Sequence, residues 1–398
     1  MKTIINVKVN KKAAVKLKNG FPLIEKDAVE NSKMLKEEGT IIRVLDDKKN
    51  YIGTGYYGVQ NKGLGWIITC EPEVSIDKDF FVKKIKTALH LRKALFDDPN
   101  TTAFRVFNGE GDGVGGLIID YYDGFYVIHW YSLGIYAFRD DILAAMKEKV
   151  DYKGIYEKKR FDLKGQYIED DDFVAGERGE FPIVVKENGV NFAVDLNDGA
   201  MTGVFLDQRN VRKAIRERYS KDADMLNMFS YTGAFSVCSA LGGAKKTTSV
   251  DVANRSRAKT IQQFEVNGMD AAQHEIVVDD VFQYFKYAAR KGRTFDLVVV
   301  DPPSFAKTKK RTFSAAKDYT TLMKETIDLT NDNGVIVAST NSSAFDLKKF
   351  KSFIKTACKE KNVSYTILEQ YTLPDDFRTL KEFPEGDYLK VLFIKISK

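Results

Sequence analysis

Cysteine, histidine and proline are scarce in this chain of 398 residues, which has three, three and eight of them. Cys70, Cys238 and Cys358 lie far apart with no CxxC pair, so neither a disulfide framework nor a zinc ribbon is readable. His90, His129 and His274 are equally scattered, which leaves little room for a histidine-rich metal site or a Ser/His/Asp triad. Low-complexity tracts are missing, so the architecture is not linker-dominated. No apolar run approaches the roughly 18 residues that a membrane span needs. The basic start, MKTIINVKVNKKAAVKLKNG, never becomes the apolar stretch of a signal peptide. A cytoplasmic protein with no membrane association is expected, its chemistry resting on carboxylates, amides, a bound cofactor or backbone geometry.

What is present is the balance of a globular protein, 43% hydrophobic and 30% charged, long enough for two or three domains. The net charge of +6 is small, but its distribution is uneven. Lys2, Lys8, Lys11, Lys12, Lys16 and Lys18 crowd the first twenty residues, which hold no acid. A second acid-free run, Lys307, Lys309, Lys310, Arg311 and Lys317, follows a Pro-Pro turn. Such runs are either solvated faces or phosphate-binding surfaces for a nucleic acid.

Residues 1–74 read as a small β-rich module, with GTIIRVLDD, NYIGTGYYGV and LGWIITC as strands. Before them, KNGFPLIEKDAVENSKML is expected to form a Gly-Phe-Pro turn leading into a short helix. Residues 75–182 mix the helices DFFVKKIKTALHLRKALF and YAFRDDILAAMKEKV with strands such as GGLIIDYY and GFYVIHWYS, an α+β middle domain. Its glycine-rich FNGEGDGVGG could suggest a phosphate loop, but Glu110 and Asp112 would repel phosphate, and a turn is expected. The acidic run EDDDFVAGERGE reads as a boundary, and IVVKENGVNFAVDL as a hairpin opening the domain 183–398. There, strand and helix patterns alternate, with VVVD and IVAS as buried parallel strands. VSYTILEQYTL and YLKVLFIKI are joined too closely for a crossover helix and should pair antiparallel at one edge. The fold class is α/β: a doubly wound, Rossmann-like sheet with a terminal antiparallel hairpin.

In such a sheet the ligand lies at the carboxyl ends of the strands. The first strand runs into Asn227-Met-Phe-Ser-Tyr-Thr-Gly-Ala-Phe-Ser236, with one glycine, Gly233, at the strand-to-helix turn. A dinucleotide fingerprint needs several, and no GxxxxGK[ST] appears, which argues against NAD, FAD and ATP. A nucleoside ligand without phosphate fits, and S-adenosyl-L-methionine is the commonest. Asp251 ends the second strand, where it can accept ribose hydroxyls, and Asp280 with Val281 ends the third, facing an adenine amino group and ring. Each acid alone could equally be a helix N-cap; together, at successive strand ends, they favour a cofactor site. The fourth strand ends Asp301-Pro302-Pro303-Ser304-Phe305. The two prolines force an extended exit that fixes Asp301 at the sheet edge, and Phe305 can stack on a flat substrate. The bland alternative is a strand terminator.

These motifs resemble the bacterial ribosomal RNA methyltransferases that place an N-terminal PUA domain before a class I S-adenosylmethionine fold. The resemblance covers essentially the whole chain and rests on the Gly-Phe-Pro start, GEGDGVGGLIIDYYDG, TGVFLDQR, MFSYTGAFS, DPPSFAK and FPEGDYLKVLF. It implies an RNA-binding PUA module and an RNA-binding middle domain. Cofactor contacts are implied at Gln208, the loop Phe229-Ser230-Tyr231-Thr232-Gly233, Asp251, Asp280 and Asp301. The implied partner is 23S ribosomal RNA, naked or in a large-subunit assembly particle, with a homodimer left open. Phosphate contacts are expected from Lys11, Lys12, Lys307, Lys309, Lys310 and Arg311.

One departure matters. The family's best-known members make 5-methylcytosine and end the fifth strand in Ser-Cys-Ser, whose thiolate attacks C6 and makes C5 nucleophilic. Here the stretch is Ser339-Thr340-Asn341-Ser342-Ser343, with Asn341 in the cysteine's place. This ending resembles the guanine-N7 half of the bifunctional large-subunit enzymes. Guanine N7 carries a lone pair and needs orientation rather than a nucleophile or strong base. Asp301, Pro302, Pro303, Phe305 and Asn341 are therefore the expected catalytic residues. The rivals are a 5-methylcytosine enzyme and an inactive RNA-binding assembly factor, against which the intact cofactor acids speak.

Overall fold

A computed structural model describes residues 4–60, 62–161, 168, 170–307 and 312–398. The chain forms two compact units. One comprises Met1–Val185, Asp195–Thr202 and Asp375–Gly386; the other comprises Lys186–Val194, Gly203–Pro374 and Asp387–Lys398.

In the first unit, β1 (Ile4–Lys8), β2 (Leu23–Glu25), β3 (Ile41–Leu45), β4 (Tyr51–Tyr57) and β5 (Gly63–Thr69) form a sheet in the order β1-β3-β4-β5-β2. Strands β3 to β5 are the β-branched and aromatic runs expected. The short helix expected after the Gly-Phe-Pro turn is absent; the chain there forms β2 and then a single 3-10 turn at Ser32–Met34. The helix of this region lies earlier, at Lys11–Lys18, because Asn10 Oδ1 accepts from the Ala13 amide at 2.9 Å and Ala13, Ala14 and Leu17 bury one face.

A second sheet, in the order β10-β9-β8-β7-β6, contains β6 (Ala103–Asn108), β7 (Leu117–Tyr122), β8 (Phe125–Trp130), β9 (Gly154–Lys159) and β10 (Phe173–Gly176). The acidic run read as a boundary thus contains its edge strand. Helix Arg139–Lys149 makes the crossover between parallel β8 and β9 and packs with helix Lys78–Leu91. Phe80, Phe81, Ile85, Ile142 and Met146 join Phe104, Ile119 and Ile128 in a core that also includes Tyr56 and Trp66. The glycine-rich segment is the turn expected: Gly109–Asp112 is one 3-10 turn, and Asp112 is buried under a two-point pairing with Arg92, at 2.8 and 2.7 Å.

A hairpin, β11 (Ile183–Glu187) and β12 (Val190–Val194), turns at Asn188-Gly189, both at positive φ. The second unit is built on a seven-stranded sheet in the order β15-β14-β13-β16-β19-β21-β20. Its members are β13 (Asp224–Met228), β14 (Lys246–Asp251), β15 (Glu275–Val278), β16 (Phe295–Val300), β19 (Thr330–Thr340), β20 (Ser364–Tyr371) and β21 (Lys390–Ser397), with a small hairpin of β17 (Phe305–Lys307) and β18 (Thr312–Ser314) after β16. The first five strands of the order run parallel, while β21 pairs antiparallel with both β19 and β20. Both faces are covered, which explains the unbroken apolar strands: Val298 and Val300 enter one core with helices Val281–Arg290 and Ala315–Leu329, and Leu297 and Val299 enter another. The terminal hairpin is the expected one, but part of its long connection, Asp375–Gly386, belongs to the first unit.

Candidate active site

Strand β13 runs into Phe229–Gly233, and the backbone there alternates. Phe229 (φ +61°), Tyr231 (φ +52°) and Gly233 (φ +77°) are left-handed, two of them with large side chains. Such residues cost about 1–2 kcal/mol each. Hydrogen bonds hold them: Ser230 N to Val250 O at 3.0 Å, Gly233 N to Ser230 O at 2.8 Å, and Tyr231 N to Asp251 Oδ2 at 2.8 Å. The Thr232 hydroxyl donates to Gly203 O at 2.7 Å. Gly233 has a second reason to be glycine, since a Cβ would lie 2.5 Å from Thr260 Cγ2 on the next helix.

Asp251, at the end of β14, receives the Tyr231 amide on one oxygen and the Ala253 amide on the other, at 2.9 Å. A carboxylate has about four acceptor positions, so lone pairs remain for a ligand's hydroxyls. Val252, 59% exposed directly after it, offers an apolar surface beside the acid that the sequence reading overlooked. Asp280 is an N-cap: its Oδ1 accepts from Phe282 and Gln283. Val281 packs into the core with Phe282 and Phe285 and exposes little side chain. The Phe229 ring sits 6.1 Å from Phe282 and 6.4 Å from Phe313, and Tyr231 sits 5.3 Å from the exposed Phe205.

Asp301 follows β16 and meets Gln208, which comes from the 3-10 turn Leu206–Gln208 far back in the sequence. Gln208 Nε2 donates to Asp301 Oδ2 at 3.2 Å and to Ser339 Oγ at 2.8 Å. Desolvation, with Asp207 nearby, pushes the Asp301 carboxyl up to about 6, although Ser339, Gln208 and Arg212 favour its charged form. Gln208 Oε1 is buried without a partner among the described residues. An unpaired amide oxygen beside a desolvated carboxylate suits a cationic ligand group. Beyond Asp301, Pro302 is buried, Pro303 is exposed and Phe305 stands 63% exposed. The Ser304 hydroxyl donates to Asn341 Oδ1 at 2.6 Å, joining the exit of β16 to the exposed residue that follows β19.

The lysines are placed less simply. Lys11 and Lys12 are exposed at the start of helix Lys11–Lys18, with Lys11 Nζ 3.7 Å from Asp47. Their neighbours are paired with acids distant in sequence, Lys16 with Glu25 and Lys18 with Asp46, so a run without acids in sequence is partly neutralised in space. Lys307 is exposed in the second unit, while Lys309, Lys310 and Arg311 lie outside the described residues.

Acids at the carboxyl ends of successive parallel strands, one tight glycine turn and no phosphate loop define a transferase of the class I S-adenosylmethionine type. Known proteins agree. A family model described as S-adenosylmethionine-dependent methyltransferase matches residues 158–392, and one for a PUA-like domain matches residues 7–70. The Bacillus subtilis (strain 168) protein named "Putative ribosomal RNA large subunit methyltransferase YwbD" is 61% identical over 97% of this chain and 98% of its own length. Ribosomal RNA large subunit methyltransferase I of Alteromonas mediterranea is 32% identical over 96% of both chains. The crystal structure of SMU.776 complexed with SAH, the demethylated cofactor, is 38% identical, with a TM-score of 0.90, over 98% of this chain and 100% of that one. The chain belongs to the S-adenosylmethionine-dependent methyltransferase family, with a PUA-like domain at its N-terminal end, and S-adenosyl-L-methionine is its cofactor.

Proposed function

We propose that this methyltransferase acts on ribosomal RNA of the large subunit and methylates a guanine at N7. The names of its relatives support the RNA, and their coverage extends over nearly the whole chain. One observation speaks against C5: among the described residues at the carboxyl ends of the seven-stranded sheet's parallel strands there is no thiol. N7 is favoured over an exocyclic amine by the resemblance of the Asn341 ending to the guanine-N7 enzymes. Asn341 stands after β19, while Cys238 and Cys358 are buried within helices, with their thiols pushed up to about 12 and about 11 by desolvation. Cys70 is in the first unit. Without a thiolate there is no adduct at C6, and C5 of cytosine is not a nucleophile. Guanine N7 attacks directly once it is oriented.

When bound, S-adenosylmethionine supplies a methyl group on a positively charged sulfur. In this reading Asp251, Asp280 and the turn Phe229–Gly233 hold the nucleoside part, and Gln208 with Asp301 holds the cationic end. Phe305 and Asn341 orient the base, and Pro302 with Pro303 keeps the exit of β16 rigid. Lys11, Lys12, Lys307, Lys309, Lys310 and Arg311 contact phosphates. A cytoplasmic location, action on an assembly particle and a homodimer are further expectations of the same reading.

The test is to map modified nucleotides in ribosomal RNA from wild-type and deletion cells. Reduction followed by aniline should cleave the wild-type RNA at one guanine and leave the deletion RNA intact. RNA containing 5-fluorocytosine should not trap the enzyme. A protein-dependent 5-methylcytosine in bisulfite sequencing, with no aniline-sensitive guanine, would overturn the assignment.

A further inference from the structure

Asn341 is exposed, and an exposed amide ordinarily samples several rotamers. Here it is held from two directions. On one side the Ser304 hydroxyl donates to Asn341 Oδ1 at 2.6 Å, and Ser304 is itself fixed because its carbonyl accepts the Ala315 amide at 3.0 Å, at the start of helix Ala315–Leu329. On the other side Lys390, the first residue of β21, faces Thr340 in register across the sheet. Its ammonium donates to Ser342 O at 3.1 Å and Tyr388 O at 2.9 Å, so it grips the residue immediately after Asn341.

Lys390 is 7% exposed, and its two hydrogen bonds go to main-chain carbonyls. Burial lowers the affinity of its amine for a proton, with Asp387 and Asp346 opposing that shift. Lysines are seldom buried unless paired, and an apolar residue would suit the start of a strand flanked on both sides better. Tying down the segment after β19 is what this side chain does that an apolar one could not.

Resting on the reading of Asn341 as a base-contacting residue, we infer that Ser304 and Lys390 are positioning residues for it. Between them they fix the amide so that Nδ2, a hydrogen-bond donor, is offered to an acceptor on the target base. The carbonyl beside N7 of a guanine is such an acceptor. The base is selected by an acceptor edge, and an amine edge would leave the donor unpaired.

The experiment is single-turnover methyl transfer to large-subunit ribosomal RNA extracted from deletion cells, with SAH affinity measured by calorimetry on the same proteins. Ser304→Ala and Lys390→Met should each slow transfer about tenfold, with SAH affinity within about twofold of wild type, and Lys390→Arg should recover most of the rate. Asn341→Asp, which exchanges the donor for an acceptor, should be as slow as Asn341→Ala. Combining Ser304→Ala with Asn341→Ala should add nothing beyond Asn341→Ala alone, because both act through one amide. Full additivity in that double variant, wild-type rates in Ser304→Ala and Lys390→Met, or a rapid Asn341→Asp enzyme would each overturn the inference. If Asn341→Ala itself transfers at the wild-type rate, the reading of Asn341 beneath it fails instead. Should Lys390→Met not fold, the Ser304 pair and Lys390→Arg still decide.

Discussion

Asp301 is an acid whose ordinary ionisation has been displaced by its surroundings. Pushed up to about 6, the Asp301 carboxyl is largely protonated at mildly acidic pH, which in the proposed reading removes a negative charge from the cofactor's cationic end. If Asp301 faces them, the cofactor's positive sulfur and amino group favour its ionised form. Binding of S-adenosylmethionine should therefore tighten as pH rises through about 6 and level off above it. Calorimetry at pH 5 and pH 7.5 measures this, and Asp301→Asn should flatten the difference. A pH dependence that survives in Asp301→Asn would belong to another group. Asp251 makes a complementary case: it holds the turn through the Tyr231 amide and, in the proposed reading, also the ligand. Asp251→Ala should weaken cofactor binding by about 1.5–3 kcal/mol, the scale of charge-assisted hydrogen bonds. Unchanged affinity in a folded variant would remove Asp251 from the site.

The turn Phe229–Gly233 shows how a short segment at a strand end stores strain. Gly233 was legible as the one glycine after the first strand of the sheet, but the left-handed backbone of Phe229 and Tyr231 was not, because aromatic residues carry no sequence mark for positive φ. Gly233→Ala meets both a disfavoured backbone and the Thr260 methyl, so it should destabilise the protein by about 1–3 kcal/mol and weaken cofactor binding. Urea unfolding with and without SAH separates the two effects. The turn that carries Gln208 depends on a different device. Arg212, buried on the following helix, donates to both oxygens of Glu187, at 2.7 and 2.6 Å, and to Phe205 O at 2.6 Å. Glu187→Gln would leave that guanidinium buried without its counter-charge, at a cost of about 3–5 kcal/mol. A Glu187→Gln variant as stable as wild type would show that the pair is dispensable.

In the proposed reading RNA binding is tested in each unit separately, because the basic residues expected to contact phosphate occur in both. If they do so, affinity for large-subunit RNA should fall steeply with salt. Neutralising Lys11 with Lys12, and separately Lys307, Lys309, Lys310 and Arg311, should each flatten the slope of log affinity against log salt while leaving cofactor affinity unchanged. A slope indifferent to both sets would make these lysines and arginines ordinary solvated residues. The ion pairs of Lys8, Lys16 and Lys18 with Glu30, Glu25 and Asp46 partly neutralise three members of the first cluster, a distinction that net charge along the sequence does not make.

Read as a string, the chain already determined the alternating architecture, the antiparallel ending, the acids at the strand ends and the missing thiol. Each of these is written in local patterns: apolar runs of strand length, a residue type at a run's end, or the absence of one. Other features required the chain to be brought together. Gln208 meets Asp301 across 93 positions, Ser304 meets Asn341 across 37, and Lys390 reaches Ser342 across 48. The helix Lys11–Lys18 depended on one capping side chain, and Asp195–Thr202 and Asp375–Gly386 joined the first unit from the middle and near the end of the sequence. Hydrogen bonds, burial and the pKa displacement of Asp301 depend on which groups exclude water from one another. That is set by packing between distant segments, on which local sequence periodicity carries no information.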